Sequence, residues 1–163
     1  MTRFASLVPS GGRILDLAAG GGRHARYFLA RGHDVTLVDR DTSQLDDLIG
    51  HPGAEILAAD LETAHGWPLA ARRFAGVIVT NYLHRPIMAD IIAAVAPSGG
   101  LIYETFAVGN ERFGKPSNPD FLLQPGELLA AVAGHLRVVA YEDCEVDVPR
   151  PAMVQRIAAV RVV

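Results

Sequence analysis

Asp16, Asp39 and Asp60 each lie at the end of an apolar run, where a carboxylate can accept hydrogen bonds from a ligand lying across strand ends. The first is followed at once by Ala18-Ala19-Gly20-Gly21-Gly22, a turn bare enough for backbone to approach a ligand closely. Arg23 to Ala30 then reads as a helix whose free N–H groups and positive dipole end point into the same crevice, which suits a ligand with anionic or acceptor groups. An acid after a second strand can take a ribose diol, and one after a third can take an exocyclic adenine amine. An adenosine moiety therefore satisfies Asp39 and Asp60 together. Read singly, each aspartate is equally a helix cap or a turn former; the three in order, with the bare turn, point to a cofactor site.

Positioning these acids requires strands, and apolar runs predict them at about 13–18, 34–39, 54–59, 75–80, 99–106, 136–144 and 153–162. Helical patterns lie between most of them, and Gly32 ends the first helix. Strand and helix alternate, which implies a mostly parallel sheet with helices on both faces, an α/β doubly wound fold of Rossmann-like type. The last two runs have no room for a helix between them and are expected to pair as a C-terminal antiparallel hairpin. From about Ala107 to Leu123 the chain is irregular and rich in Gly, Pro and Asn, a length of loop that is commonly functional.

With 163 residues, half of them hydrophobic, the chain is expected to form one domain over residues 1–163 with a sizeable core. Its formal charge of -3 makes nucleic acid a poor default partner. A lone cysteine, Cys144, cannot form an intrachain disulfide, and no apolar span suggests a membrane, so the cytoplasm is the simplest location. Six histidines scattered without paired spacing give no metal site.

At this point the sequence resembles the class I S-adenosylmethionine-dependent methyltransferases. Asp16-Leu17-Ala18-Ala19-Gly20-Gly21-Gly22 looks like their first motif, and Asn81-Tyr82-Leu83-His84 stands in the place of the fourth, beside the transferable methyl. The resemblance implies the seven-stranded fold and S-adenosylmethionine as cofactor, with S-adenosylhomocysteine as product. Asp16 would lie near the methionine amino end, and Ala18, Gly20 and Gly22 would shape the turn. Asp39 would take the ribose, Asp60 and Leu61 the adenine, and Asn81 would line the cavity. Gly20 to Ala25 and Phe121-Leu122-Leu123-Gln124-Pro125-Gly126-Glu127-Leu128 are similar to the tellurite-resistance methyltransferase group, whose members methylate small nucleophiles. Ala18 departs from the family's usual glycine: at negative φ the turn survives, and at positive φ it is strained. Few residues precede the first strand, so the pocket is either open there or completed by Phe4 and a second copy in a homodimer.

Methyl transfer needs alignment more than a base, but a protonated acceptor benefits from a nearby His or carboxylate. His84 and Glu104 are the catalytic candidates. The blander readings are a solvent-facing His84 at a helix start and a salt bridge from Glu104 to Arg85 or Arg112. Tyr82, Phe106, Arg112 and Lys115 are the substrate candidates, the two cations suiting an anionic acceptor and the aromatics an apolar one. The phenylalanines of the long loop serve equally as anchors to the core. His24 either donates to a substrate or cofactor carboxylate at the helix start or faces solvent. The acceptor is expected to be a small molecule, reacting through O, N, S or a chalcogen oxyanion. Two alternatives stand beside this reading. One is a non-catalytic binding or regulatory protein of the same fold. The other is a NAD-binding oxidoreductase, since Gly20-Gly21-Gly22-Arg23-His24-Ala25 also satisfies a relaxed dinucleotide fingerprint.

Overall fold

The computed structural model describes residues 2–63 and 66–163. Seven strands form one sheet: β1 (Ile14–Leu17), β2 (Val35–Asp39), β3 (Ala54–Ala58), β4 (Phe74–Thr80), β5 (Val95–Phe106), β6 (Arg137–Val146) and β7 (Ala152–Val160). Their order is β3-β2-β1-β4-β5-β7-β6. The first five run parallel, while β7 lies antiparallel between β5 and β6. All seven expected strands are present, and the terminal hairpin is inserted into the sheet edge so that β6 is outermost.

Two apolar layers explain the winding. Ile14, Val35, Leu37, Ile78 and Ile102 face α1 (Arg23–Leu29) and a 3-10 turn at Thr2–Leu7. The alternate residues Leu15, Leu17, Val77, Val79, Leu101 and Tyr103 face α2 (Met88–Ala93) and α3 (Glu127–Val132). Period-two alternation thus sends each strand's side chains into two separate cores. α1 presents Ala25 and Phe28 to the first core and stops where Gly32, at φ 79°, turns the chain.

The expected helices are not all there. Between β2 and β3 only a 3-10 turn forms, Asp46–Leu48, and none is present among the described residues between β3 and β4. Asp39, Asp41 and Asp60 each accept a backbone N–H two residues on, from Asp41, Ser43 and Glu62, and these local turns compete with helix.

Ala18 has φ 53°, the strained alternative for that position. Ala18→Gly is therefore expected to stabilise the fold, by about 0.5–1 kcal/mol once glycine's greater unfolded-state freedom is deducted. A denaturant midpoint that falls on substitution would show that the surroundings need the methyl group.

Candidate active site

The carboxyl ends of β1, β2, β3 and β4 meet at a cavity of about 180 Å³ lined by Ala18, Asp39, Asp60, Leu61 and Tyr82, together with Arg40 and Glu62. This unites the acids after the second and third strands, as the sheet order requires. Asp39 Oδ2 accepts the Gly20 N–H at 2.7 Å and its Oδ1 that of Asp41 at 2.9 Å, so the aspartate shapes the bare turn and keeps lone pairs free for a ligand. Among the described residues the Tyr82 hydroxyl is buried without a hydrogen-bond partner, and burial, reinforced by Glu62 and Asp60, pushes its ionisation upward. A neutral, unused donor of this kind is costly unless something takes it. Tyr82, a substrate candidate by sequence, thus lies beside Asp39, Asp60 and Leu61 and apart from Arg112 and Lys115.

Asp16 is at the same end of the sheet but faces the start of α1. Its Oδ2 accepts the Ala25 N–H at 2.9 Å, and its Oδ1 lies 3.9 Å from His24 Nδ1. Both side chains are buried. Burial raises Asp16 to about 7, and burial together with Arg23 lowers His24 to about 4. Two expectations change here: the helix start is closed by a carboxylate and not open to an anion, and His24 is interior, 3.4 Å from Thr80 Oγ1. The Gly22 N–H is also spoken for, by Ala19 O. A pyrophosphate would find these loop donors used, which counts against the dinucleotide reading.

On the sheet's next step, Asn81 is exposed at φ 55° and donates its N–H to Glu104 O at 2.9 Å, joining the ends of β4 and β5. His84 is partly exposed just before a 3-10 turn, Arg85–Ile87. The Glu104 carboxylate pairs at 2.7 Å with Arg156 on β7, and not with Arg85 or Arg112, because the antiparallel register sets Glu104 and Arg156 opposite each other. Arg85 instead grips Glu127 through Nε and Nη2 at 2.7 and 2.9 Å and donates to Asp120 O and Leu122 O, tying the segment after β4 to the loop after β5.

That loop is held by Asn110 and two leucines, and not by Phe113 and Phe121. Buried Asn110 donates to Pro116 O and accepts from Met153 N, while Leu122 and Leu123 enter the core. Phe113 and Phe121 remain 37% and 46% exposed. The substrate candidates do not converge. Arg112 pairs with Glu145 at 3.4 Å and stacks on Phe113, Phe106 faces the Arg150 guanidinium, and Lys115 lines a separate groove with Phe121.

Solved structures with this fold are numerous. TehB from Haemophilus influenzae superposes with a TM-score of 0.74 at 16% identity, over 96% of this chain and 60% of that one. A SAM-dependent methyltransferase from Methanosarcina mazei gives 0.75 at 12% identity, over 100% and 98% of the two chains. The chain has the fold of the S-adenosylmethionine-dependent methyltransferases. A third similar structure is the Burkholderia thailandensis 1,6-didemethyltoxoflavin-N1-methyltransferase, with its substrate and S-adenosylhomocysteine bound; it gives 0.68 at 21% identity, over 99% of this chain and 80% of that one. This chain thus spans less than two thirds of the Haemophilus protein. No protein-family model matches the sequence, nor does any curated protein. Among the described residues there is no cluster of three metal-ligating side chains and no helix long and apolar enough to cross a membrane.

Proposed function

We propose that the protein is an S-adenosylmethionine-dependent methyltransferase acting on a small nucleophile. The observation that carries this is the cavity in which Asp39, Asp60, buried Leu61 and the unpartnered Tyr82 hydroxyl come together beside the Ala18–Gly22 turn. The set fits an adenosine: Asp39 for the ribose diol, Asp60 for the exocyclic amine, Leu61 for the ring face and Tyr82 as a donor. When bound, S-adenosylmethionine supplies a methyl on a sulfonium, which passes to an acceptor lone pair as the sulfur–carbon bond breaks and its electron pair stays on sulfur.

The chain's part in such a displacement is alignment and exclusion of water. Asn81 and Glu104 hold the ends of β4 and β5 in register where the acceptor would enter, and His84 flanks them. The toxoflavin enzyme's small substrate agrees with a small acceptor here.

Calorimetric titration with S-adenosylhomocysteine beside NAD tests the reading: selective binding of the first supports it, selective binding of NAD overturns it, and binding of neither favours a regulatory protein. Asp39→Ala removes both the ribose acceptor and the brace on Gly20, so affinity for S-adenosylhomocysteine is expected to fall at least about tenfold. Unchanged affinity would move the ribose site elsewhere.

A further inference from the structure

One polar row crosses four strands on the α1 face of the sheet: Thr80 on β4 pairs in register with Glu104 on β5, Glu104 with Arg156 on β7, and Arg156 with Glu142 on β6. Below it runs an apolar row, Ile78, Ile102, Ala158 and Ala140. The polar row begins at the end of β4, beside Asn81, and so extends outward from the proposed methyl position.

Three observations define what it would bind. First, Glu104 lies 2.7 Å from Arg156 Nε, yet among the described residues neither of its oxygens accepts a hydrogen bond, and that Nε is itself buried without a partner. Arg156 balances the charge at Oε2, and the lone pairs of Oε1 stay free. Second, two carboxylates to one guanidinium leave an excess negative charge in the row. Third, a cation from elsewhere in the chain offsets it: the Arg3 guanidinium lies 3.3 Å from Glu142 Oε1 and 4.9 Å from the centre of the Phe4 ring. Arg3 is 73% exposed, and the space enclosed between Phe4 and the row is about 30 Å³, so a ligand must displace the Phe4 ring that covers it and, with that ring, the Arg3 guanidinium stacked on it.

We infer that the methyl acceptor is a nitrogen nucleophile, an amine or a protonatable heterocycle, whose N–H groups donate to Glu104 and whose positive charge replaces that of Arg3 at Glu142. The inference rests on the methyltransferase reading and names the acceptor of that same site. With Arg3 displaced, an oxyanion or thiolate would add to the net negative charge of the Glu104–Arg156–Glu142 row, where a cation offsets it. A nitrogen acceptor first gives its ammonium proton to water, then becomes cationic again as the nitrogen–carbon bond forms, so Glu104 stabilises the charge that develops. The new ammonium then loses its proton to solvent. Arg112 and Lys115, drawn away to Glu145 and to a separate groove, bring no cation to this row.

The test is a titration of 2-phenylethylamine against 3-phenylpropionate, at pH 7.5, into protein with and without saturating S-adenosylhomocysteine. The amine is expected to bind at least about tenfold more tightly than the carboxylate. Glu104→Gln should weaken amine binding about tenfold and Glu142→Gln severalfold, with affinity for S-adenosylhomocysteine retained, whereas Arg3→Ala should leave amine binding equal or tighter. Equal or tighter binding of the carboxylate, no binding of the amine, or amine affinity unmoved by Glu104→Gln and Glu142→Gln alike overturns the inference. Failure of S-adenosylhomocysteine itself to bind overturns the methyltransferase reading instead, and the preference between amine and carboxylate is still read on the free protein.

Discussion

Asp16→Asn is expected to stabilise the protein by about 4 kcal/mol above pH 7 and by almost nothing at pH 4. The folded Asp16 carboxyl ionises near 7 and the unfolded one near 3.8, because burial penalises the charge more than the Ala25 N–H and Arg23 favour it. A raised carboxyl value costs nothing below pH 4, costs progressively more as the unfolded chain ionises first, and costs its full amount above pH 7. His24 runs the other way. Its folded value, near 4 against 6.5 unfolded, is a penalty at low pH that disappears as pH rises from 4 to 6.5. Across that window the two slopes oppose each other, so the pair contributes little net pH dependence to the native protein. Asparagine retains an oxygen for the Ala25 N–H but removes the titration, leaving His24 alone. Stability of the variant should therefore climb more steeply between pH 4 and 6.5 than that of the native protein, as read by denaturant midpoints over that range. Equal pH profiles would mean that Asp16 ionises normally. The same variant reports on the cofactor: unchanged affinity for S-adenosylhomocysteine would confine Asp16 to holding α1.

The difference between Asp16 and Asp39 shows what a sequence discloses and what it withholds. Both acids follow apolar strands, and that placement, with the alternation that feeds two cores, made the sheet and the cavity around Asp39, Asp60 and Leu61 legible. Whether the carboxylate then faces the ligand or the next helix depends on side-chain direction at the strand end. Asp16 is in β1 itself and turns toward Ala25, whereas Asp39 ends β2 and turns toward Gly20. The Glu104–Arg156–Glu142 row was hidden for another reason. It depends on β7 lying between β5 and β6, a long-range pairing that local pattern cannot fix. The loop's polar anchor is not legible for a third reason: the sequence leaves its phenylalanines open between a substrate wall and the core, while Asn110, a single buried amide, satisfies two backbone groups and Phe113 and Phe121 stay outside.

Gly20 and Gly22 are expected to separate binding from stability when each becomes alanine. Both have positive φ, 51° and 69°, so both substitutions carry a backbone penalty of about 1–2 kcal/mol. A methyl on Gly20 meets nothing within 4 Å, and it projects from an exposed turn whose N–H braces Asp39. On Gly22 the same methyl comes 2.6 Å from Leu45 Cδ2 and 3.0 Å from Arg26 Nη1, and Arg26 is fixed by Asp47 and by the Gly21 carbonyl. Leu45 is fully buried and cannot easily retreat, which adds overpacking of about 1–3 kcal/mol. Gly22→Ala should therefore cost about 2–5 kcal/mol in a denaturant melt. Gly20→Ala should cost no more than the backbone penalty and yet weaken S-adenosylhomocysteine at least about tenfold, because the methyl occupies the space where backbone and ligand would touch. Similar losses of stability in the two variants would assign Gly20 to the fold. Retained affinity in Gly20→Ala would mean that the ligand lies off the turn, against Asp60 and Leu61 alone.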